Sequence, residues 1–340
     1  MKWILHILVA FAFAPFFPAP AYAQLLGDPV GIRITPEAPS PGERTLVTIT
    51  SFPPLDLGLA DIRWSVNGAP AVSGVGVSTF LFTMGPAGEE TAVGVSITQP
   101  GIPVIERTLR FSPGSVELVW EADTYVPPFY AGRSAYTPGA NITVLAIPDV
   151  RDTQGRRIDA SSLTFRWERN EEPVQSASGR GKEALSFRGN QLYEEERVTV
   201  RVLRPDGSLA ARKDAAILAR EPQVLLYERD PLRGVRYERA IPGSFSLSGQ
   251  EATFVAEPYF FSAPARDSQL ISFSWTLNGK EVDPATDAAG QITLRREEES
   301  AGRALLALQV QHLTPARILQ AAGTALQLVF GNERQGFFSR

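Results

Sequence analysis

The chain of 340 residues contains no cysteine, two histidines and two methionines. Without cysteine it can form no disulfide framework, no thiolate zinc site and no iron–sulfur cluster, and it has no cysteine nucleophile. Positive charge is also scarce, because 33 Lys and Arg stand against 37 Asp and Glu, for a net charge of −4. The chain therefore offers no general basic surface for the phosphates of nucleic acid.

Long apolar runs are absent beyond the N-terminus. Lys2 precedes an apolar run from Trp3 to Phe17, and Ala21-Tyr22-Ala23 supplies the small residues that a signal peptidase requires. The run is about 15 residues long, short of the ~20 that span a bilayer. We therefore predict a signal peptide over residues 1–23 and an exported product, extracellular, periplasmic or at the cell surface, with no membrane span after cleavage. An uncleaved anchor is the alternative.

Self-similarity is the strongest feature that the sequence does contain. Trp64, Trp167 and Trp275 lie 103 and 108 residues apart, and each ends a run of alternating apolar and polar residues. This alternation is typical of a half-buried strand. Asn-Gly begins three residues after the first and third Trp, as in a tight hairpin. Another alternating run begins 29, 31 and 31 residues after the three tryptophans.

Each copy holds about seven short strands separated by turn signals, and no long amphipathic helix is present. This pattern predicts an all-β protein of three tandem immunoglobulin-like antiparallel β-sandwiches, with Trp64, Trp167 and Trp275 in their cores. The predicted domains cover residues 28–112, 113–219 and 220–331, followed by a flexible tail at 332–340.

The Trp on the third strand, the Asn-Gly turn and the alternating penultimate strand resemble bacterial immunoglobulin-like domains, including the polycystic-kidney-disease-type branch. The resemblance covers nearly all of residues 28–331 and implies a fold class and a secreted protein, not an activity. The chain has no cysteine and therefore lacks the inter-sheet cysteine pair of many such domains. Packing around the three tryptophans must therefore stabilise each core.

Candidates for catalysis are few. His312 is the only histidine after the predicted signal peptide, and no Gly-x-Ser-x-Gly motif accompanies it. The acidic runs Glu194–Glu196 and Glu297–Glu299 could supply the paired carboxylates of a glycosidase. Neighbouring side chains on a strand point to opposite faces, so the carboxylates within each run are not expected to converge on one site. We predict no catalytic residue, no metal ligand and no cofactor. Calcium at the domain joints is an alternative role for carboxylates.

Aromatic clusters are the candidate binding residues. One surrounds Pro127-Pro128 in the second copy, and another lies in the corresponding loop of the third copy; together they comprise Tyr125, Phe129, Tyr130, Tyr136, Tyr259 and Phe260. Rings beside prolines can form a platform for a sugar or a peptide. In the alternative interpretation, the rings cover a sandwich edge or pack on the neighbouring domain.

These features predict a non-enzymatic exported envelope or surface protein. It would act as a spacer, an adhesion module or a protein-binding module for an unidentified envelope or extracellular protein, including as an accessory to a pilus or other extracellular assembly. The alternative is a carbohydrate-binding module that uses residues 125–136, with a polysaccharide as ligand. An exported hydrolase that relies on carboxylates is a third hypothesis.

Overall fold

The computed structural model describes residues 28–284, 288–296 and 301–330. The predicted signal peptide, the tail at 332–340 and the run Glu297–Glu299 lie outside these ranges. Strands and connecting loops make up the described chain, together with four 3-10 helices of three residues each. The predicted all-β class is therefore confirmed.

The first part of the chain folds into two sheets packed face to face. We call this part the first unit; its strands are β1 (Val30–Thr35), β2 (Arg44–Ser51), β3 (Asp61–Val66), β4 (Ala69–Val75), β5 (Thr79–Thr83), β6 (Thr91–Thr98) and β7 (Ile105–Phe111). One sheet has the order β1-β2-β5 and the other β4-β3-β6-β7, and all of their pairs are antiparallel.

The second unit repeats this plan. Its strands are β8 (Ser115–Ala122), β9 (Asn141–Asp149), β10 (Thr164–Arg169), β11 (Glu172–Pro173), β12 (Gly179–Arg180), β13 (Ala184–Arg188), β14 (Glu196–Leu203) and β15 (Leu209–Ile217). The sheets are β13-β9-β8 and β11-β10-β14-β15, and β12 also pairs with β10. Strands β8 and β15 are therefore edges of opposite sheets.

The third unit is larger. Its strands are β16 (Gln223–Asp230), β17 (Gly234–Val235), β18 (Ser244–Leu247), β19 (Glu251–Tyr259), β20 (Ile271–Leu277), β21 (Lys280–Val282), β22 (Gln291–Arg295), β23 (Gly302–His312) and β24 (Ala321–Phe330). The sheets are β17-β16-β19-β22 and β18-β24-β23-β20-β21. Strand β18 pairs with β24 in parallel, which is the exception to the antiparallel plan among the strands described.

Each unit encloses one large apolar core to which both of its sheets contribute. Trp64, Trp167 and Trp275 lie on β3, β10 and β20, and each is 1% exposed. The indole Nε1 of Trp64 donates to the carbonyl of Val77, and that of Trp167 to the carbonyl of Lys182, both at 2.9 Å. The alternating residues of β6, β14 and β23 are buried beside them, as the sequence pattern predicted. The domain boundaries themselves stay a prediction.

The hairpins that follow the three tryptophan strands share one backbone geometry. Both central residues have positive φ in Asn67-Gly68 (50° and 80°), in Asn278-Gly279 (51° and 78°) and in Asn170-Glu171 (49° and 70°). Glycine and asparagine adopt this conformation at little cost, whereas glutamate does not. The turn at Asn170-Glu171 is therefore strained at Glu171, where the other two units have glycine.

Candidate functional site

The segment that carries the predicted aromatic residues connects β8 to β9 and lies against the third unit. The Tyr125 amide donates to the carbonyl of Phe261 at 2.7 Å, and the Phe260 amide donates to the carbonyl of Tyr125 at 2.8 Å. The Thr137 hydroxyl donates to the carbonyl of Phe260 at 3.0 Å. The second and third units are thus joined by direct backbone hydrogen bonds, in addition to side-chain contacts.

A small buried apolar cluster lies between the two units. It consists of Ala135, Tyr259 and Phe260, with Val126 packed against them. Phe260 has a φ of 67°, in the left-handed region that bulky residues avoid. Strain of this kind costs on the order of 1–3 kcal/mol and persists only where the surroundings fix the conformation. The hydrogen bonds to Tyr125 and Thr137 fix it here.

Gln320 is fully buried at the same joint, and its side-chain amide both donates and accepts hydrogen bonds. Its Nε2 donates to the carbonyl of Pro138 at 2.9 Å and to the hydroxyl of Ser262 at 2.8 Å. Its Oε1 accepts from the Ser262 amide at 2.8 Å. Because a buried polar group without a partner costs free energy, this amide holds the two units in one arrangement.

Arg317 adds a second set of polar contacts across the joint. Its Nε donates to the carbonyl of Gly139 at 3.1 Å, and its guanidinium also pairs with Asp123 at 3.3 Å. Gly139 has a φ of +76°, and a Cβ at this position would lie 2.7 Å from the carbonyl oxygen of Ala316. A larger residue at 139 would therefore separate the two units.

A buried carboxylate lies beside these contacts. Glu257 is 1% exposed and accepts hydrogen bonds from the Tyr125 hydroxyl at 2.8 Å and the Tyr237 hydroxyl at 2.9 Å. Arg266 pairs with it at 3.2 Å. Burial raises the pKa of the Tyr125 hydroxyl, and the bond to Glu257 raises it further. These residues line an open groove of about 760 Å³ between the second and third units.

The six predicted binding residues differ in accessibility. Tyr136, Tyr259 and Phe260 are buried, whereas Phe129 is 42% and Tyr130 36% exposed. The Tyr136 hydroxyl donates to the carbonyl of Asn190 at 3.0 Å, and burial raises its pKa to about 12. Tyr136 therefore belongs to the core of the second unit, whereas Tyr125, Tyr130, Tyr259 and Phe260 meet at the contact between the second and third units. Phe129 and Tyr130 are the two that offer substantial area to a ligand.

The exposed rings lie in two different aromatic groups. Phe129 contacts Tyr237, with ring centroids 4.3 Å apart, and also Tyr227. Tyr130 contacts the edges of Tyr259 and Phe260, with centroid distances of 5.8 and 5.9 Å. Such edge-to-face contacts stabilise ring positions. Both exposed rings are thus held in place by aromatic residues of the third unit.

The candidate catalytic side chains are engaged in structural contacts. His312 is 2% exposed; its Nδ1 accepts from the Thr314 amide at 3.0 Å and its Nε2 lies 3.0 Å from the carbonyl of Ser262. With Nδ1 as acceptor, Nε2 carries the proton and donates it. Burial lowers the pKa of His312, and the charge of Arg317 lowers it further. This neutral ring belongs to the joint between the units.

Glu196 is the buried member of its acidic run. Its carboxylate accepts from Arg169 at 2.7 and 2.8 Å and from the Asn190 amide at 2.6 Å. Burial by itself would raise the pKa of Glu196, but these hydrogen bonds outweigh it and the pKa is lowered. Within the described ranges, no three acidic or histidine side chains are grouped as metal ligands.

The joint between the first and second units is built from charged side chains. Glu37 pairs with Arg212 at 2.7 Å and with Arg201 at 3.5 Å, and it is about half exposed. Arg204 donates to the carbonyl of Ser112 at 2.6 Å. This joint therefore combines partly exposed ion pairs with the buried Arg204, whereas the joint between the second and third units has an apolar cluster and a fully buried Gln320.

Sequence reasoning missed several residues of the second joint, among them Glu257, Arg317 and Gln320. Glu257 could have been selected from the sequence, because it is the one charged residue in the interior of strand β19, among apolar neighbours. Gln320 and Arg317 lie in the connection between β23 and β24, where Arg317 ends a 3-10 helix of three residues and the sequence has no periodic pattern. Their partners, such as Pro138, are distant in sequence, and no local pattern encodes such pairs.

No family model and no curated protein matches the chain. Solved structures of tandem-domain proteins do match, at low similarity. Three N-terminal domains of the bacteriophage RB49 Highly Immunogenic Outer Capsid protein cover 88% of this chain and 98% of theirs, at 10% identity and a TM-score of 0.25. The central fibronectin-III array of RIM-binding protein covers 90% and 98%, at 14% identity and a TM-score of 0.29.

A third match is a Bacteroides ovatus protein of the mixed-linkage glucan utilization locus, in complex with a mixed-linkage heptasaccharide. It covers 90% of this chain and 71% of that one, at 12% identity and a TM-score of 0.22. Similarities this low assign no family and no ligand to the chain. The fold described here therefore rests on its own sheet order and cores. Among the described residues, no helix is long and apolar enough to cross a membrane.

Proposed function

We propose that the chain is a non-enzymatic, exported bacterial immunoglobulin-like protein that acts as a spacer and protein-binding module in the cell envelope or at the cell surface. The observation that supports the spacer role is the joint between the second and third units. It combines backbone hydrogen bonds at Tyr125, a fully buried Gln320 and the apolar cluster around Phe260. A joint of this kind holds the second and third units at a fixed distance and orientation, and so also the partners that bind to each unit.

The first unit has a different role in this proposal. Its joint uses the ion pairs of Glu37 with Arg201 and Arg212, and ion pairs that are open to solvent contribute little to stability. The bond from Arg204 to the Ser112 carbonyl is its buried contact. The first unit can therefore change its direction relative to the other two. A rigid pair with one adjustable unit suits a protein that presents a binding surface on a spacer. The partner in this proposal is an envelope or extracellular protein, including a subunit of a pilus or other surface assembly.

Distance measurements between spin labels test the spacer role. The chain has no cysteine, so introduced cysteines are the sole labelling sites. Labels at the exposed positions Arg166 and Lys280 report on the second joint, and labels at Ser73 and Arg166 report on the first. We expect a narrow distance distribution for the former pair and a broader one for the latter. A broad distribution across the second joint would contradict the spacer role.

Cell fractionation tests the location. Cells that produce the protein are fractionated, with sheared surface appendages as one fraction, and the protein is detected in each fraction by immunoblot. Recovery with sheared filaments, or in a protease-accessible form on intact cells, supports a role in a surface assembly. Recovery as a free soluble species contradicts it.

The alternative function, carbohydrate binding by residues 125–136, depends on the two exposed rings. Phe129 and Tyr130 are fixed by aromatic contacts, as a stacking platform requires. A polysaccharide pull-down with Tyr130→Ala as the control distinguishes this function from the spacer role. Retention by the wild-type chain and not by Tyr130→Ala would favour carbohydrate binding.

A further inference from the structure

A second groove opens near the joint between the second and third units, apart from the one that Glu257 lines. It has a volume of about 320 Å³ and runs beside strands β8 and β15, the facing edges of the two sheets of the second unit. The residues that matter for recognition are Trp120, Tyr130, Arg133, Leu218, Arg220 and Phe260. The groove is at the lower end of the range of volumes of about 300–1,000 Å³ that small-molecule sites have.

The charge of this groove is positive, although the chain as a whole is acidic. Arg133 and Arg220 both line it, and no Asp or Glu among the described residues does. Within that part of the chain, neither guanidinium forms an ion pair or a hydrogen bond. Two arginines without acidic partners at one groove favour an anionic ligand.

The position of Arg133 is fixed in a way that leaves its donors free. Its guanidinium carbon lies 3.9 Å from the centroid of the Trp120 ring, in a cation–π contact. A stacked guanidinium uses its face for the aromatic ring and keeps its in-plane N–H groups available. These groups match the two oxygens of a carboxylate. Trp120 therefore positions Arg133 for a planar anion.

The main chain at Arg220 is also held in place. The Arg220 amide donates to the carbonyl of Tyr136 at 2.8 Å, which ties the chain after β15 to the segment between β8 and β9. The groove also has an apolar lining that is partly open to solvent. Tyr130 is 36% exposed and Leu218 63% exposed, and the buried Phe260 of the third unit also lines the groove.

We infer that this groove binds an acidic polysaccharide whose pyranose rings carry carboxylates, as in a polyuronate. The carboxylate pairs with the guanidinium groups of Arg133 and Arg220. The C–H face of the sugar ring packs on Tyr130 and Leu218. Both parts of the ligand, the planar anion and the apolar ring face, have a matching surface in the groove.

Two other anionic polymers fit less well. Nucleic acid is bound through many phosphate contacts along an extended basic surface, which two arginines on an acidic chain do not supply. Arginine clusters also recognise acidic motifs in peptides, but Asp and Glu side chains have no ring face to pack on Tyr130 and Leu218. This groove presents a tyrosine ring and an apolar leucine beside its two arginines.

Calorimetric titration of the full chain tests the inference. The probe is an oligomer of galacturonic acid, and its methyl ester is the matched neutral probe. We expect the oligomer to bind and the ester to bind at least tenfold more weakly. Arg133→Gln and Arg220→Gln should each weaken binding of the oligomer by about tenfold, because each removes a charge-assisted hydrogen bond. Arg166→Gln, an exposed arginine of the second unit outside the groove, should bind like the wild type.

Thermal unfolding of each variant verifies that it is folded, and Arg220→Gln keeps the main-chain contact with Tyr136. No binding of the oligomer at millimolar concentration overturns the inference, as does equal binding of the methyl ester. Polyglutamate that binds as tightly and is lost in the same variants would assign the groove to an acidic peptide and overturn the sugar assignment. The spacer role is tested separately by the label distances, so failure of one proposal leaves the other intact.

Discussion

The side-chain amide of Gln320 in the third unit donates to the main-chain carbonyl of Pro138 in the second at 2.9 Å, and Gln320 is fully buried. This bond is one of three that the amide makes, and the other two hold Ser262. The amide thereby ties a loop of the third unit to the segment between β8 and β9. The relative position of the two units depends on it.

Replacing this amide should loosen the joint. Gln320→Ala leaves the Pro138 carbonyl and the Ser262 amide without their partner, and each such group costs about 1–3 kcal/mol when it stays buried. We expect a lower unfolding midpoint and a broader distance distribution between labels at Arg166 and Lys280. Gln311→Ala, an exposed glutamine on β23, is the control. Equal behaviour of the two variants would show that Gln320 does not hold the units together.

Acid should weaken the same joint through His312. Its pKa is lowered from the ordinary value of 6.5, so in acid the unfolded chain takes up a proton more readily than the folded one. The stability contributed by the neutral ring is fully present above pH 6.5 and is lost as the pH falls below it towards the folded pKa. Protonation also places a hydrogen on Nδ1, where the Thr314 amide already donates.

Chemical denaturation at several pH values measures this effect. We expect the free energy of unfolding to fall between pH 6.5 and pH 5 in the wild type. His312→Gln removes the titrating group and should flatten the curve over this interval. An unchanged slope in the variant would assign the pH dependence to other groups.

Salt should affect the two joints differently. At 1 M salt the Debye length is about 3 Å, so the partly exposed pairs of Glu37 with Arg201 and Arg212 are weakened by screening. We expect the distance distribution between labels at Ser73 and Arg166 to broaden at high salt, and that between Arg166 and Lys280 to stay narrow. Glu37→Gln should reproduce the broadening at low salt. A salt-independent first joint would contradict its ionic character.

Glu171 offers a stabilising substitution. Its φ of 70° is costly for a residue with a Cβ, and the equivalent turns of the other units have glycine there. Glu171→Gly should therefore raise the free energy of unfolding by up to about 1 kcal/mol. Glu172→Gly, at the neighbouring exposed position on β11, should destabilise the chain or leave it unchanged. A loss of stability in Glu171→Gly would mean that the turn is not strained.

The repeated units were predictable because their signals are local. Each unit has a tryptophan strand followed at nearly constant spacing by a strand of alternating apolar residues, as Trp167 and the valines of β14 illustrate. An alternation with a period of two encodes a strand with one buried face. The Asn-Gly pairs encode the hairpins by the same local logic, since they tolerate positive φ. The aromatic residues between Tyr125 and Tyr136 could be selected from the sequence, but whether they face solvent or protein could not.

The sequence by itself determined the all-β class, the three tryptophan-centred repeats and the scarcity of catalytic side chains, because composition and short-range periodicity control these properties. The tertiary structure decided that Tyr259 and Phe260 are buried at a joint, and that Gln320 bonds to Pro138. It also decided that Arg133 stacks on Trp120 beside Arg220. Each of these contacts joins residues with no fixed spacing along the chain, and only the packing of separate sheets and loops brings them together.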